Sequence, residues 1–177
     1  MEKIAKFGGK PTKTTEYGTG PRFGAEELAQ LKEALEQNTL FYWHGSKVKQ
    51  MNKKFAEMYG MKYCVASSSG TAAIHVALGA LGITAGDEVI TSPITDIGSV
   101  IGILLQNAIP VFADVDPNTY NITAQSIEEK ITDKTKAVIV VHLAGNPADM
   151  DPINEVAKKH NIKVIEDCAK SYMCYYM

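Results

Sequence analysis

Apolar residues recur along this chain in two rhythms. Helical spacing covers Gly24 to Gln37 through Leu28, Leu31 and Leu35, and Lys47 to Tyr59 through Val48, Met51, Phe55 and Met58, with Gly60 as the stop. From Tyr63 onward, short β-rich runs recur about every 25 residues, at Tyr63–Ala66, Glu88–Thr91, Val111–Val115, Ala137–Val141 and Lys163–Glu166. Each but the last is followed by a turn and a wholly or partly helical pattern. Such alternation predicts a three-layer α/β fold, a mostly parallel sheet with helices on both faces.

The segment that organises the rest reads as strand, polar turn and helix: Tyr63–Ala66, then Ser67-Ser68-Ser69, then a helix from Gly70 with Ala73, Val76, Ala77, Ala80 and Leu81 on its apolar side. The helix after the second β run carries Ile97, Val100, Ile101, Leu104 and Leu105. The helix before the last run has Asp151 as its predicted N-cap and Pro152 at its first position, and ends at His160-Asn161. Asp116-Pro117-Asn118 predicts a turn. Residues 1–23 hold Gly8-Gly9, Pro11, Gly18, Gly20 and Pro21 with little periodicity, which predicts an extended arm lying on a neighbour. Leu40 to Gly45 is aromatic and glycine-terminated, either a loop facing a ligand or one pinned into the core.

Composition narrows the partners. The 18 basic and 20 acidic residues nearly balance, so no long-range field argues for nucleic acid or a membrane surface, and a small-molecule partner is expected. The three cysteines, Cys64, Cys168 and Cys174, are odd in number, and the first two lie in apolar β-like runs where a buried thiol acts as a small hydrophobe. The N-terminus lacks the apolar stretch of a secretory signal, and no apolar run has the length of a membrane span, so the expected compartment is cytoplasmic.

The candidate chemistry lies where strands end. The first turn of the helix at Gly70 leaves the amides of Gly70, Thr71 and Ala72 unpaired at the positive end of the helix dipole, and Ser69 and Thr71 add hydroxyls. That arrangement suits a phosphate, although Ser-Gly-Thr before a helix also serves as ordinary N-capping. The other strand ends bring Thr95 and Asp96, His142 and Asn146, and Asp167 toward the same mouth. Thr95 could instead cap its helix, and His142 could be a satisfied core histidine. Asp167 leaves a buried strand as a carboxylate, which needs a cation.

A phosphate at a helix N-terminus with a carboxylate facing a protonatable ring nitrogen is how a protein would grip pyridoxal phosphate. Here the sequence resembles the DegT/StrS family of pyridoxal-phosphate-dependent sugar aminotransferases, of aspartate-aminotransferase fold type I. The matching segments are Gly8-Gly9, Phe55-Ala56-Glu57, Ser69-Gly70-Thr71-Ala72-Ala73, Ala85-Gly86-Asp87-Glu88-Val89-Ile90, Ile109 to Val115, His142 to Asp151 and Val164-Ile165-Glu166-Asp167-Cys168-Ala169. They keep the family order over nearly the whole chain.

The resemblance implies roles. Ser69, Gly70 and Thr71 would hold the cofactor phosphate, Asp167 would pair with the pyridine nitrogen, and Ala169 would lie under the ring. Two positions depart from the family pattern: Asp96 stands where most members stack an aromatic on the ring, and Lys170 stands where a glutamine usually bonds the ring hydroxyl. The resemblance also implies that residues 24–177 are the N-terminal part of the cofactor-binding large domain, with the rest of the sheet, a small C-terminal domain and the Schiff-base lysine downstream of Met177. Complete relatives are expected to be homodimers that move an amino group from a donor such as glutamate onto a keto-sugar nucleotide. The alternatives are a non-catalytic module that binds a phosphorylated ligand, and an inactive remnant. Related members catalyse dehydration.

Overall fold

A computed structural model describes residues 3–14 and 21–176. Gly18 and Gly20 of the expected arm lie outside the described residues. The chain divides into two compact units, Met1–Val65 and Ala66–Met177.

In the first unit the two amphipathic segments are helices α1 (Ala25–Glu36) and α2 (Lys47–Met58). The Glu27 side chain accepts the Gly24 amide at 2.7 Å, so the N-terminal turn of α1 is closed by a glutamate where the dipole favours one. Lys47 ties the two helices together through Glu33 and, at 2.7 Å, through Gln30. The Leu28, Leu31 and Leu35 stripe is exposed, and α2 buries only Ala56. The Leu40–Gly45 loop is not pinned into a core, because Leu40 is 81 % and Trp43 69 % exposed. Within the arm, Ala5–Phe7 forms a short 3-10 turn that the extended reading missed.

The second unit carries the sheet. Helix α3 (Gly70–Ala80) is followed by β1 (Glu88–Thr91), α4 (Gly98–Leu105), β2 (Ile109–Phe112), α5 (Ala124–Glu128), β3 (Thr135–Val141), α6 (Met150–Lys159) and β4 (Lys163–Asp167). The strand order is β2-β1-β3-β4 and every pairing is parallel. Strand β2 starts and ends earlier than the β-rich run suggested, and Val115 makes only an isolated antiparallel bridge to Ile122. The predicted strand Tyr63–Ala66 does not form: these residues lie in no strand, and Tyr63 and Val65 are exposed. A strand needs a partner as well as β-forming residues.

Alternation along the strands separates two cores. Val89, Ala137, Ile139 and Val141 point toward Ile74 and Leu78 of α3 and Ile103 of α4. Ile90, Val138 and Val140 point the other way, toward Ile127 of α5 and Met150, Ile153 and Ala157 of α6. The chain moves outward from β1 to β2, then back across β1 to β3. The fixed handedness of parallel crossovers requires opposite directions to use opposite faces, which is why α4 and α5 lie on different sides. Three layers result.

Two helix faces differ from the sequence reading. Helix α3 buries Ile74 and Leu78, while Val76 and Leu81 of the expected apolar side are exposed. Helix α4 buries Gly98, Ser99, Val100, Gly102 and Ile103, leaving Ile97, Leu104 and Leu105 exposed. Helix α6 has Asp149 rather than Asp151 at its N-cap position, without a side-chain capping bond, which places Pro152 at the third helical position, still inside the turn whose amides lack helical partners. It ends where expected, with Asn161 in the left-handed conformation at φ 54°. Asp116 accepts the amides of Asn118 and Thr119, closing the expected turn. Cys168, expected to be buried, is exposed.

Candidate functional site

The N-terminus of α3 is capped by Ser69 and leaves amides free. Ser69 is extended, at φ −164°, and its Oγ accepts the Ala72 amide at 3.0 Å. The helix end therefore offers two free amides rather than three, those of Gly70 and Thr71, which have no partner among the described residues. Ser67 Oγ donates to the Ser69 carbonyl at 3.0 Å and holds the turn that precedes the helix. A Cβ placed on Gly70 would meet nothing within 4 Å, so the space in front of the helix end is open.

Helix α4 joins this helix end to the strand ends. A Cβ on Gly98 would lie 2.6 Å from Thr71 Oγ1, and one on Gly102 would lie 3.1 Å from both the His75 amide nitrogen and Ile74 Cγ2. Only hydrogens at these positions allow α4 to lie so close to α3. Asp96 Oδ1 accepts the Gly98 amide at 2.8 Å, so the carboxylate closes the start of α4 beside Thr71. Thr95 Oγ1 and Ser99 Oγ are 2.7 Å apart, and Ser99 Oγ donates to Asp167 Oδ2 at 2.6 Å.

Asp167 ends β4 on the α3–α4 side of the sheet. Its Oδ1 accepts the Ala169 amide at 3.1 Å. Ala169 and the exposed Lys170 lie on a turn closed by the Ser171 amide, which donates to the Cys168 carbonyl at 2.9 Å. Among the described residues, Lys170 makes no ion pair with Asp167. The fold thus connects Ser69, Gly70, Thr71, Asp96 and Asp167 through α4, with Ala169 and Lys170 just beyond Asp167. Sequence reasoning missed Gly98, Ser99 and Gly102. Two glycines four residues apart in a helix apolar on all sides were the available signal for close helix packing.

His142 and Asn146 do not join this group. Alternation places Glu166 on the opposite sheet face from Asp167, and His142 Nε2 meets Glu166 Oε2 there at 2.9 Å. His142 Nδ1 accepts the Ala148 amide at 3.0 Å, so the buried ring is satisfied at both nitrogens. Asn146 contributes its carbonyl to Asn121 Nδ2 at 2.9 Å. The Cys168 thiol and the Glu166 carboxylate raise the His142 pKa to about 9, against burial, which lowers it. The Ala148 amide also opposes the second proton, since an imidazolium would have to donate from Nδ1. The anionic side still sets the direction, and the His142 bond in turn lowers the Glu166 pKa. His142, Glu166 and Cys168 offer atoms within 4.8 Å of one another. In the neutral ring, with Nδ1 accepting an N–H, Nε2 carries the proton, and its lone pair is not offered to a metal.

Residues 21–177 match the DegT/DnrJ/EryC1/StrS aminotransferase family. The chain belongs to this family. It is 42% identical over 156 residues to the GDP-perosamine synthase of Escherichia coli O157:H7, covering 88% of this chain and 43% of that one. The solved aminotransferase of Psychrobacter cryohalolentis superposes with a TM-score of 0.86 at 45% identity, covering 91% of this chain and 41% of that one. A GDP-4-keto-6-deoxymannose-3-dehydratase with a trapped adduct of pyridoxal phosphate and glutamate superposes with a TM-score of 0.75 at 30% identity, covering 86% and 40%. The chain spans about two fifths of the length of these relatives.

The family cofactor is pyridoxal phosphate. The residues present fit it. Two unpaired amides and a hydroxyl at a helix end suit a phosphate dianion, and a carboxylate on the same face of the sheet suits a protonated pyridine nitrogen. Among the described residues, no helix is long and apolar enough to cross a membrane.

Proposed function

We propose that this chain supplies the cofactor-binding part of a pyridoxal-phosphate-dependent aminotransferase that acts on a keto-sugar nucleotide with glutamate as amino donor. The observation that carries this reading is the placement of Asp167, bonded at 2.6 Å to Ser99, the residue next to the glycine that packs on Thr71. The names of the similar proteins, a GDP-sugar synthase and a dehydratase trapped with glutamate, support the substrate class and the donor.

When bound, the cofactor supplies an electron sink through its protonated ring. The amides of Gly70 and Thr71, with the Thr71 hydroxyl, bind its phosphate at the positive end of α3, and Ser69 keeps that end ordered. Asp167 holds a proton at the ring nitrogen. Ala169 and Asp96 would border the ring, and Lys170 would serve its hydroxyl. The lysine amine that reacts with the cofactor aldehyde belongs to a strand after the Asp167 turn, outside this stretch, so the residues here bind and orient. Residues 24–177 form part of the large domain, and the complete protein is a cytoplasmic homodimer.

The test compares pyridoxal phosphate with pyridoxal on the purified chain, followed by borohydride reduction and mapping of any labelled lysine. Phosphate-dependent binding without a single lysine labelled in high yield is expected. Gly70→Val should weaken pyridoxal phosphate far more than pyridoxal, because only the former uses the helix end. Equal losses for both would reduce the turn to a helix cap, and a high-yield label with amino transfer from glutamate would overturn the assignment of the amine to another stretch.

A further inference from the structure

We infer that Ser99, backed by Thr95, is a positioning residue that fixes the direction of the Asp167 carboxylate and ties it to the phosphate seat. This rests on the reading of Asp167 as the partner of the ring nitrogen. Ser99 is 2 % exposed and lies in the first turn of α4. Its hydroxyl donates to Asp167 Oδ2 at 2.6 Å, a short bond of the kind made to a charged acceptor. Thr95 Oγ1, 2.7 Å away, is the other partner of the same hydroxyl, so the Ser99 proton is directed toward Asp167.

Asp167 ends the outermost strand among the described residues and is partly exposed, and a carboxylate there has several rotamers open to it. The Ala169 amide is only two residues away and restrains Oδ1 locally, moving with the same turn. Ser99 is 68 positions distant and belongs to the helix that Gly98 and Gly102 lock against α3. The bond therefore refers the carboxylate to the helix that carries Thr71. The first turn of α4 acts as a spacer between the two ends of the ligand, and a rigid spacer of this kind is what orients a ring held at its phosphate and its nitrogen.

The experiment uses the full chain and three variants, Ser99→Ala, Ser99→Thr and Thr95→Val. In the unliganded protein, three-bond couplings of Asp167 should report one side-chain rotamer for wild type and Ser99→Thr and averaged rotamers for Ser99→Ala, with Thr95→Val between them. With ¹⁵N-labelled pyridoxal phosphate, Ser99→Ala should move the ring-nitrogen resonance toward that of a neutral pyridine and weaken binding about tenfold. Ser99→Thr should restore both. Loss of the phosphate preference is not expected, because the α3 amides are untouched. A single Asp167 rotamer in Ser99→Ala would overturn the inference whether or not the cofactor binds, and so would failure of Ser99→Thr to restore it in a chain with wild-type unfolding. A ring nitrogen unmoved in Asp167→Asn, with the rotamer results as expected, would instead remove the role given to Asp167 and leave the positioning bond standing.

Discussion

The close approach of α3 and α4 makes a prediction with an internal control. Gly79 in α3 and Gly102 in α4 are both helical glycines, and both gain about 1 kcal/mol of helix propensity when changed to alanine. A Cβ on Gly79 would meet only Gln106 Nε2, at 3.1 Å, the tip of a flexible side chain that can swing away. A Cβ on Gly102 would meet the His75 amide nitrogen at 3.1 Å, Ile74 Cγ2 at 3.1 Å and His75 Cα at 3.3 Å. Two of those atoms are backbone of α3, so the helix must move as a body by a few tenths of an ångström. Overpacking of this kind costs about 1 to 3 kcal/mol. Gly79→Ala should therefore stabilise by about 0.5 to 1 kcal/mol, while Gly102→Ala should be neutral to destabilising by about 2 kcal/mol. The two midpoints in urea should separate, with that of Gly79→Ala the higher, at an unchanged slope. If α3 does shift, Gly102→Ala should also weaken pyridoxal phosphate binding, since the same helix carries the seat. Equal stabilisation by both substitutions would refute the reasoning, because it would show that nothing rigid opposes a methyl group at Gly102.

Ser69→Ala removes the cap from the Ala72 amide and should cost about 1 kcal/mol of stability; a change well under that in a denaturant titration would show that the turn before α3 holds without the hydroxyl. Asp167→Asn keeps the shape and removes the charge, so the ring nitrogen of bound pyridoxal phosphate should lose its proton at neutral pH, read by ¹⁵N shift, while the phosphate preference stays. The pKa of His142, raised in the folded chain from 6.5 to about 9, adds stability that is full below the unfolded value and is lost as pH rises through the folded one. Glu166→Gln should lower the His142 titration midpoint and flatten the loss of stability between pH 6.5 and about 9; an unchanged midpoint in an NMR titration would detach Glu166 from that effect.

Much of the candidate site was legible because it is written locally. Ser69 before Gly70 is a capping signal within one turn, and Asp167 at the end of an apolar run marks a strand terminus, so both could be placed without knowing what surrounds them. The roles of Asp96 and His142 were less legible, since each had a local and a ligand-facing reading. The structure gives the Asp96 carboxylate the local bond to Gly98, and the register of β3 on β4 puts the His142 side chain behind the sheet.

By itself the sequence determined the alternation of strands and helices, the four strands that form, the start of α3, the C-terminal end of α6 and the residues at the strand ends, because periodicity and capping act over a few residues. Tertiary structure decided the rest. Tyr63–Ala66 has the residues of a strand and is not one, since pairing is made between segments and no period within four residues encodes the partner. Ile74 and Leu78, rather than Val76 and Leu81, face the core of α3 because α4 and the sheet choose the side of a helix that is apolar nearly all round. Ser99 reaches Asp167 across 68 residues only because Gly98 and Gly102 let two helix backbones meet. Local pattern sets what each segment can be; close packing between distant segments sets which side chains share a site.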